Sequence, residues 1–355
     1  MKLSMTRVCI ALAASAVGLY TGASNAEDLG RATLLVTSTN NDTANDIVVF
    51  RLDSGTSPSL SYVTSLPTGG AGGAGGNAGS VQFGEELGAV ANYGSNSVTQ
   101  LVRDGDFIHV GKTIALASGC THPVSVALRH EHLYAAGGNC VESHAWPSGS
   151  LEGRVVGLPD ASAAQVVAGR TWAAVTLKSG SVLQLPLAHE GALTGTATSV
   201  ALPADANDTP LGAAFWDDVL GFDPAHSPKS LALVDARRNV HPILGPTPAF
   251  PNGNAPCWLA KGPGNLWYAA NTPAKAISIF FSDGEGGSFY KSVPLPGAPT
   301  DITVSRDNKW LGIIYSAADG AHVGVFAIDG HGDLKMVAAS APIGVSSFNG
   351  IAFSR

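Results

Sequence analysis

The chain has 355 residues, with 20 Lys+Arg against 27 Asp+Glu and a formal net charge of −7. An acidic chain without a Lys/Arg cluster lacks the cationic stripe that phosphate backbones demand, which excludes nucleic acid as a partner. Only 13% of residues are charged, while Gly numbers 43 and Pro 21, a balance that favours short strands and tight turns over charged helical surfaces.

The first segment, residues 1–26, carries Lys2 and Arg7, an apolar run CIALAASAVGLY (9–20) and a small-residue end at Ser24-Asn25-Ala26. A charged start, a short apolar core and an A-x-A-like end describe a signal peptide, and the run is too short to span a bilayer comfortably. The mature chain then begins at Glu27. Lys2 and Arg7 leave with the leader, so 18 − 27 gives a net charge of −9. No later segment is long and apolar enough to cross a membrane. The expected location is periplasmic or secreted, away from the membrane once the leader is gone.

Three strands follow: ATLLVTST (32–39), DIVVFRLD (46–53) and LSYVTSLP (60–67). Next comes the glycine run 70–75, which matches G-x-G-x-x-G. No strand-to-helix turn surrounds it, so it reads as a flexible loop and no dinucleotide cofactor is expected. The unit at 78–118 holds GSVQF, ELGAVANYGSNSVTQLV and FIHVGKTIAL. The third unit has His122-Pro123-Val124-Ser125-Val126-Ala127, then HLYAAGG (132–138), a turn with Cys140, Glu142 and His144, and EGRVVGLPD (152–160). Units near 162–205 and 209–251 keep the spacing with a more degraded pattern. The sixth has APCWLA (255–260), LWYAAN (266–271), AISIFF (276–281) and FYKSVPLPG (289–297). The seventh has APTDIT (298–303), WLGIIYS (310–316), HVGVFAID (322–329) and LKMVAASAPIG (334–344).

The repeat is about 40–50 residues long and holds four strands without an amphipathic helix. One such sheet cannot bury both its faces, so neighbours must stack, and radial stacking gives a β-propeller. The first unit lacks an innermost strand, and the chain ends in NGIAFS (349–354), which reads like the missing one. The expectation is an all-β, single-domain, seven-bladed propeller spanning 27–355, whose last strand completes blade one and removes two sheet edges.

The units APCWLAKGPGNLWYAANTPAKAISIFF (255–281) and GAPTDITVSRDNKWLGIIYSAADGAHVGVFAID (297–329), with ANYGSNSVTQLV (91–102), resemble the seven-bladed lactonase family. That family includes 6-phosphogluconolactonase-like proteins and 3-carboxymuconate lactonising enzymes. The resemblance covers nearly all of the mature chain. It implies a small lactone as substrate, hydrolysed or isomerised, by analogy of fold.

In a propeller, the loops leading into the innermost strands share one face with the turns between second and third strands. The former bring Asn77, His122, Pro210, Cys257, Trp258, Asp301 and Asn349. The latter bring Asn41, Asn96, Glu142, His144, His226, Lys275, Asp319 and His322. Lactone opening needs a base to activate water and a cation or donor set at the carbonyl oxygen. His122 or His144 is the candidate base, oriented by Glu142. Lys275, Asn77 and Asn349 are candidate oxyanion donors, and His226, Trp258, Asp301 and His322 complete the substrate-binding set. Cys120 and Cys140 map to one face of blade three, and export permits a disulfide between them, which leaves Cys257 as a buried free thiol. The Cys/Glu/His mixture has no metal-site spacing, so no metal is expected. The partner is a small molecule at the channel mouth and the protein a monomer. A non-catalytic binding propeller and a metal-dependent lactonase or esterase are the alternatives.

Overall fold

The computed structural model describes residues 31–129, 131–235, 237–245, 255–344 and 348–354. The leader expected at 1–26 lies outside the described residues. From Ala32 onward the chain forms one unit of seven four-stranded antiparallel sheets. The innermost strands of blades one to seven are Asn349–Ser354, Val81–Phe83, Ser125–Arg129, Ala163–Ala168, Pro210–Trp216, Pro256–Lys261 and Ala298–Val304.

Burial follows the radial order. Second strands sit between two neighbouring sheets, so both of their faces are covered and their sequences read as unbroken apolar runs. Leu133, Tyr134, Ala135 and Ala136 are fully buried, as are Trp267, Tyr268, Ala269 and Ala270. The LYAA and LWYAAN repeats also share a tie between blades. Tyr134 donates its hydroxyl to the Gly191 carbonyl (2.7 Å), and Tyr268 to the Gly332 carbonyl (2.9 Å). Outermost strands are largely exposed. In blade four the outermost strand shrinks to Thr198–Ser199, which is why its repeat is hard to read in the sequence.

The ring closes as the sequence requires. Asn349–Ser354 pairs with Thr33–Ser38 in antiparallel register, with Leu34 opposite Ser354, Leu35 opposite Phe353 and Thr37 opposite Ile351. Thr37 Oγ1 also donates to the Gly350 carbonyl at 2.7 Å. Among the described residues, no helix is long and apolar enough to cross a membrane.

Candidate functional site

On one face of the ring, called upper here, lie the loops into the innermost strands and the turns between second and third strands. β-Bulges interrupt the innermost ladder in blades one, four, five, six and seven. A bulge re-aims the side chains beside it. The residues just past the bulge in blades four, six and seven are Gln165, Trp258 and Asp301, and all three reach another blade. Gln165 Oε1 accepts the Ala213 N–H (2.6 Å). Trp258 Nε1 donates to the Asn77 carbonyl (3.0 Å), and an Asp301 oxygen accepts the Gly79 N–H (3.3 Å).

Asn77 is the hub of this layer. Its amide donates to the Val124 carbonyl of blade three, and its side-chain oxygen accepts Asn349 Nδ2 of blade one (2.7 Å). The next residue, Ala78, donates its N–H to the Ala164 carbonyl of blade four. The glycine-rich stretch before blade two is thus a cross-tie at the upper end of the channel. Gly79 has φ +68°, and a Cβ there would lie 3.0 Å from Gln165 Nε2, so glycine is required where these side chains converge.

Asn77, Trp258, Asp301 and Asn349 are therefore brought together as expected, bonded to the protein itself. Burial pushes the Asp301 carboxyl up to about 7 from 3.8, against the N–H groups of Ile302, Gly79 and Gly350, which favour the ionised form. The native state holds this proton more tightly than the unfolded chain. The associated stability is full below about pH 4 and is lost as pH rises through about 7. Asp301→Asn, which never ionises, is expected to gain on the parent across that window, by up to about 4 kcal/mol at pH 8. Thermal melts of both proteins from pH 4 to pH 8 that run parallel would refute this.

A separate cleft of 240 Å³ opens on the upper face among blades two, three and four. Its walls include His122, Tyr93, Thr121, Asn139 and Lys178. His122 adopts a left-handed backbone (φ +57°), and its N–H donates to Asn96 Oδ1 at 2.7 Å. Its ring lies 4.7 Å from that of Tyr93, is exposed, and makes no hydrogen bond among the described residues. Lys178 reaches the Gly75 carbonyl at 3.4 Å and has no carboxylate partner among the described residues. Half-burial pulls its amine below the ordinary lysine range.

Glu142 and His144 do not join this cleft, contrary to the expected turn placement. They lie in the third strand of blade three, Cys140–Ala145, and both are buried. His144 Nε2 contacts Glu142 Oε1 at 2.8 Å, and His144 Nδ1 faces the Gly149 carbonyl at 3.1 Å. The Glu142 carboxylate also accepts the Ala117 N–H at 3.0 Å. The physical reason is the short turn at 137–139, so the strand has already begun at Cys140. The Cys120–Cys140 disulfide is present, with Cα atoms 5.5 Å apart. Cys120, His122 and Ala117 share one loop, so the bridge and the Glu142 carboxylate anchor the segment that carries His122.

The remaining expected residues lie apart. His226 is exposed and paired with Thr209 Oγ1 (3.1 Å), and Lys275 is exposed in a hairpin turn. His322 stacks on Tyr315 (5.2 Å between ring centres) and contacts Asp319 (2.9 Å) near the outer strands of blade seven. Cys257 is a free thiol pushed up to about 11 by burial, which removes it as a nucleophile near neutral pH. Tyr93 and Lys178 were not among the sequence candidates. Both sit in turns between second and third strands, so the same face rule finds them once the degraded register of blade four is known.

No protein-family model and no curated protein sequence matches the chain. Solved structures do match in fold. A protein from Lactobacillus plantarum superposes with a TM-score of 0.68 at 13% identity, covering 92% of this chain and 100% of that one. A putative 6-phosphogluconolactonase from Bacteroides uniformis gives 0.68 at 15% identity, covering 91% and 99%. The periplasmic gluconolactonase of Pseudomonas aeruginosa gives 0.66 at 16%, covering 91% and 99%. The chain has the fold of the lactonase-type propellers. At these identities the likeness concerns the blades and their closure, and the chemistry has to be argued from this chain's own side chains.

Proposed function

We propose that this propeller is an exported lactonase that opens a small lactone in the upper cleft, with His122 as general base and Lys178 at the carbonyl oxygen. The observation that carries the reading is an exposed imidazole, packed against Tyr93, and a half-buried lysine amine bonded to a backbone carbonyl, lining one 240 Å³ cleft. Tyr93 supports one face of the imidazole, and the anchored loop fixes its position. The leader-like first segment, the disulfide and the periplasmic gluconolactonase among the fold neighbours support export and a sugar-type lactone.

His122 takes a proton from water as the water oxygen bonds to the lactone carbonyl carbon. The resulting oxyanion is steadied by the Lys178 ammonium. Collapse breaks the ring C–O bond, and the leaving alkoxide takes the proton back from His122, giving the hydroxy acid. A pH-stat screen over aldonolactones and aromatic lactones, corrected for spontaneous opening, tests this. His122→Ala is expected to lower kcat at least tenfold, and Lys178→Met to lower kcat/KM by a similar factor. Unchanged kinetics in both variants would remove the assignment. Saturable lactone binding without turnover in the parent protein would make this a ligand-binding propeller instead.

A further inference from the structure

Between the upper ends of blades five and six lies a buried acid without a partner. Asp223 is fully buried, and neither of its carboxylate oxygens has a hydrogen-bond partner. The other buried acids among the described residues, Glu142, Asp235 and Asp301, each accept at least one backbone N–H. A lone ionised carboxylate is strongly disfavoured in such a place, so Asp223 takes up either a proton or a cation. Burial holds its carboxyl well above the ordinary range.

Strand alternation sets where Asp223 points. It lies in the second strand of blade five, Val219–Pro224. Leu220 and Phe222 pack with Trp172 and Ala174 of blade four. Gly221 faces the other way, where a Cβ would stand 2.4 Å from the Trp267 ring of blade six. Asp223, two residues on, shares the Gly221 face. The two blades meet closely at this level, since a Cβ on Gly212 would lie 2.5 Å from the Trp258 Cα. The group that Asp223 approaches is Cys257, whose thiol responds to the Asp223 charge. That thiol donates to the Ala255 carbonyl at 3.1 Å, and the side chain and backbone of Thr272 also bond to the sulfur. Cys257 is a free thiol and only partly buried.

We propose that Asp223 and Cys257 together bind one thiophilic divalent cation of the zinc class. A thiolate and a carboxylate carry the two negative charges that balance a dication, so the buried group is neutral as a whole. Sulfur favours zinc or cadmium over magnesium or calcium. The thiol proton leaves to solvent as the metal–sulfur bond forms, and the Thr272 N–H steadies the thiolate. No group of three His, Cys, Asp or Glu side chains gathers among the described residues, so the protein supplies two charged ligands and the affinity is moderate. The site lies apart from the cleft of blades two to four and does not rest on the lactonase reading.

Cadmium is the probe, because its bond to a thiolate gives an ultraviolet charge-transfer band. Cys9 is lost with the expected leader and Cys120 is bridged to Cys140, so the processed chain has one thiol to report. One cadmium per chain is expected to bind at micromolar concentration, with the band rising in step, zinc competing and magnesium at least a hundredfold weaker. Cys257→Ser should abolish the band and weaken cadmium at least tenfold, and Asp223→Asn should weaken it at least tenfold. His241→Ala, which breaks the partly exposed His241–Asp235 pair, should change nothing. Thermal melts check that each variant is folded, and Asp223→Asn carries the test if Cys257→Ser is not. The proposal is overturned by absent cadmium binding, which would leave Asp223 a buried neutral acid. It is equally overturned by magnesium binding as tightly, by unchanged affinity in folded Asp223→Asn, or by loss of binding in His241→Ala.

Discussion

A chain ending before Phe348 is expected to give no cooperative thermal transition. The lost strand is buried along its whole length, with Ile351, Ala352 and Phe353 all inside. Removing the Ile and Phe side chains alone forfeits roughly 1.5–3 kcal/mol each. The larger loss is topological. Blade one would keep three strands and expose an unpaired edge along Thr33–Ser38, while blades two and seven would lose the innermost strand that packs between them. Domains are stable by only about 5–15 kcal/mol, so the ring should not survive. The measurement is a circular-dichroism melt with size-exclusion chromatography. A soluble, monomeric, sharply melting truncation would sink the closure argument.

The second large effect is expected at Glu142. Glu142→Leu leaves His144 facing an apolar group and strips the Ala117 N–H of its acceptor. Breaking one side of a buried pair costs about 3–5 kcal/mol. Replacing both members is milder, because no buried charge is left without a partner. Glu142→Leu should therefore melt well below the parent, and the double variant Glu142→Leu/His144→Phe should recover much of the difference. A double variant no more stable than the single one would show that the pair is not the relevant unit. If the upper cleft is catalytic, the single variant should also lower kcat, since Ala117 and His122 share a loop.

The blades were legible because each repeat must bury two faces and has one way to do so. Apolar runs at LYAA and LWYAAN, polar turns after them and a missing first strand led to the ring and its closure. The disulfide was legible by the same logic, since Cys120 and Cys140 had to share one face of one blade. Glu142 and His144 were misplaced because a polar string was read as a turn. The corrective signal was present in the period of two. Cys140, Glu142 and His144 alternate with Val141 and Ser143, as a strand requires. Their polarity is spent on the disulfide, on Ala117 and on Gly149. Asn77 was also found for the right position and the wrong partner, because nothing in a glycine run announces which carbonyls its neighbours will meet.

Closure by the final strand also sets a timetable. Thr37 and Gly350, which share a hydrogen bond, are 313 positions apart in the chain. During synthesis every blade but the first can assemble from residues already made, whereas the first must wait for the last few to leave the ribosome. Contacts so remote in sequence are slow to form, because loop-closure entropy must be met before they reward it. The nascent molecule is thus an open spiral until its tail arrives, which leaves it threadable for most of its birth.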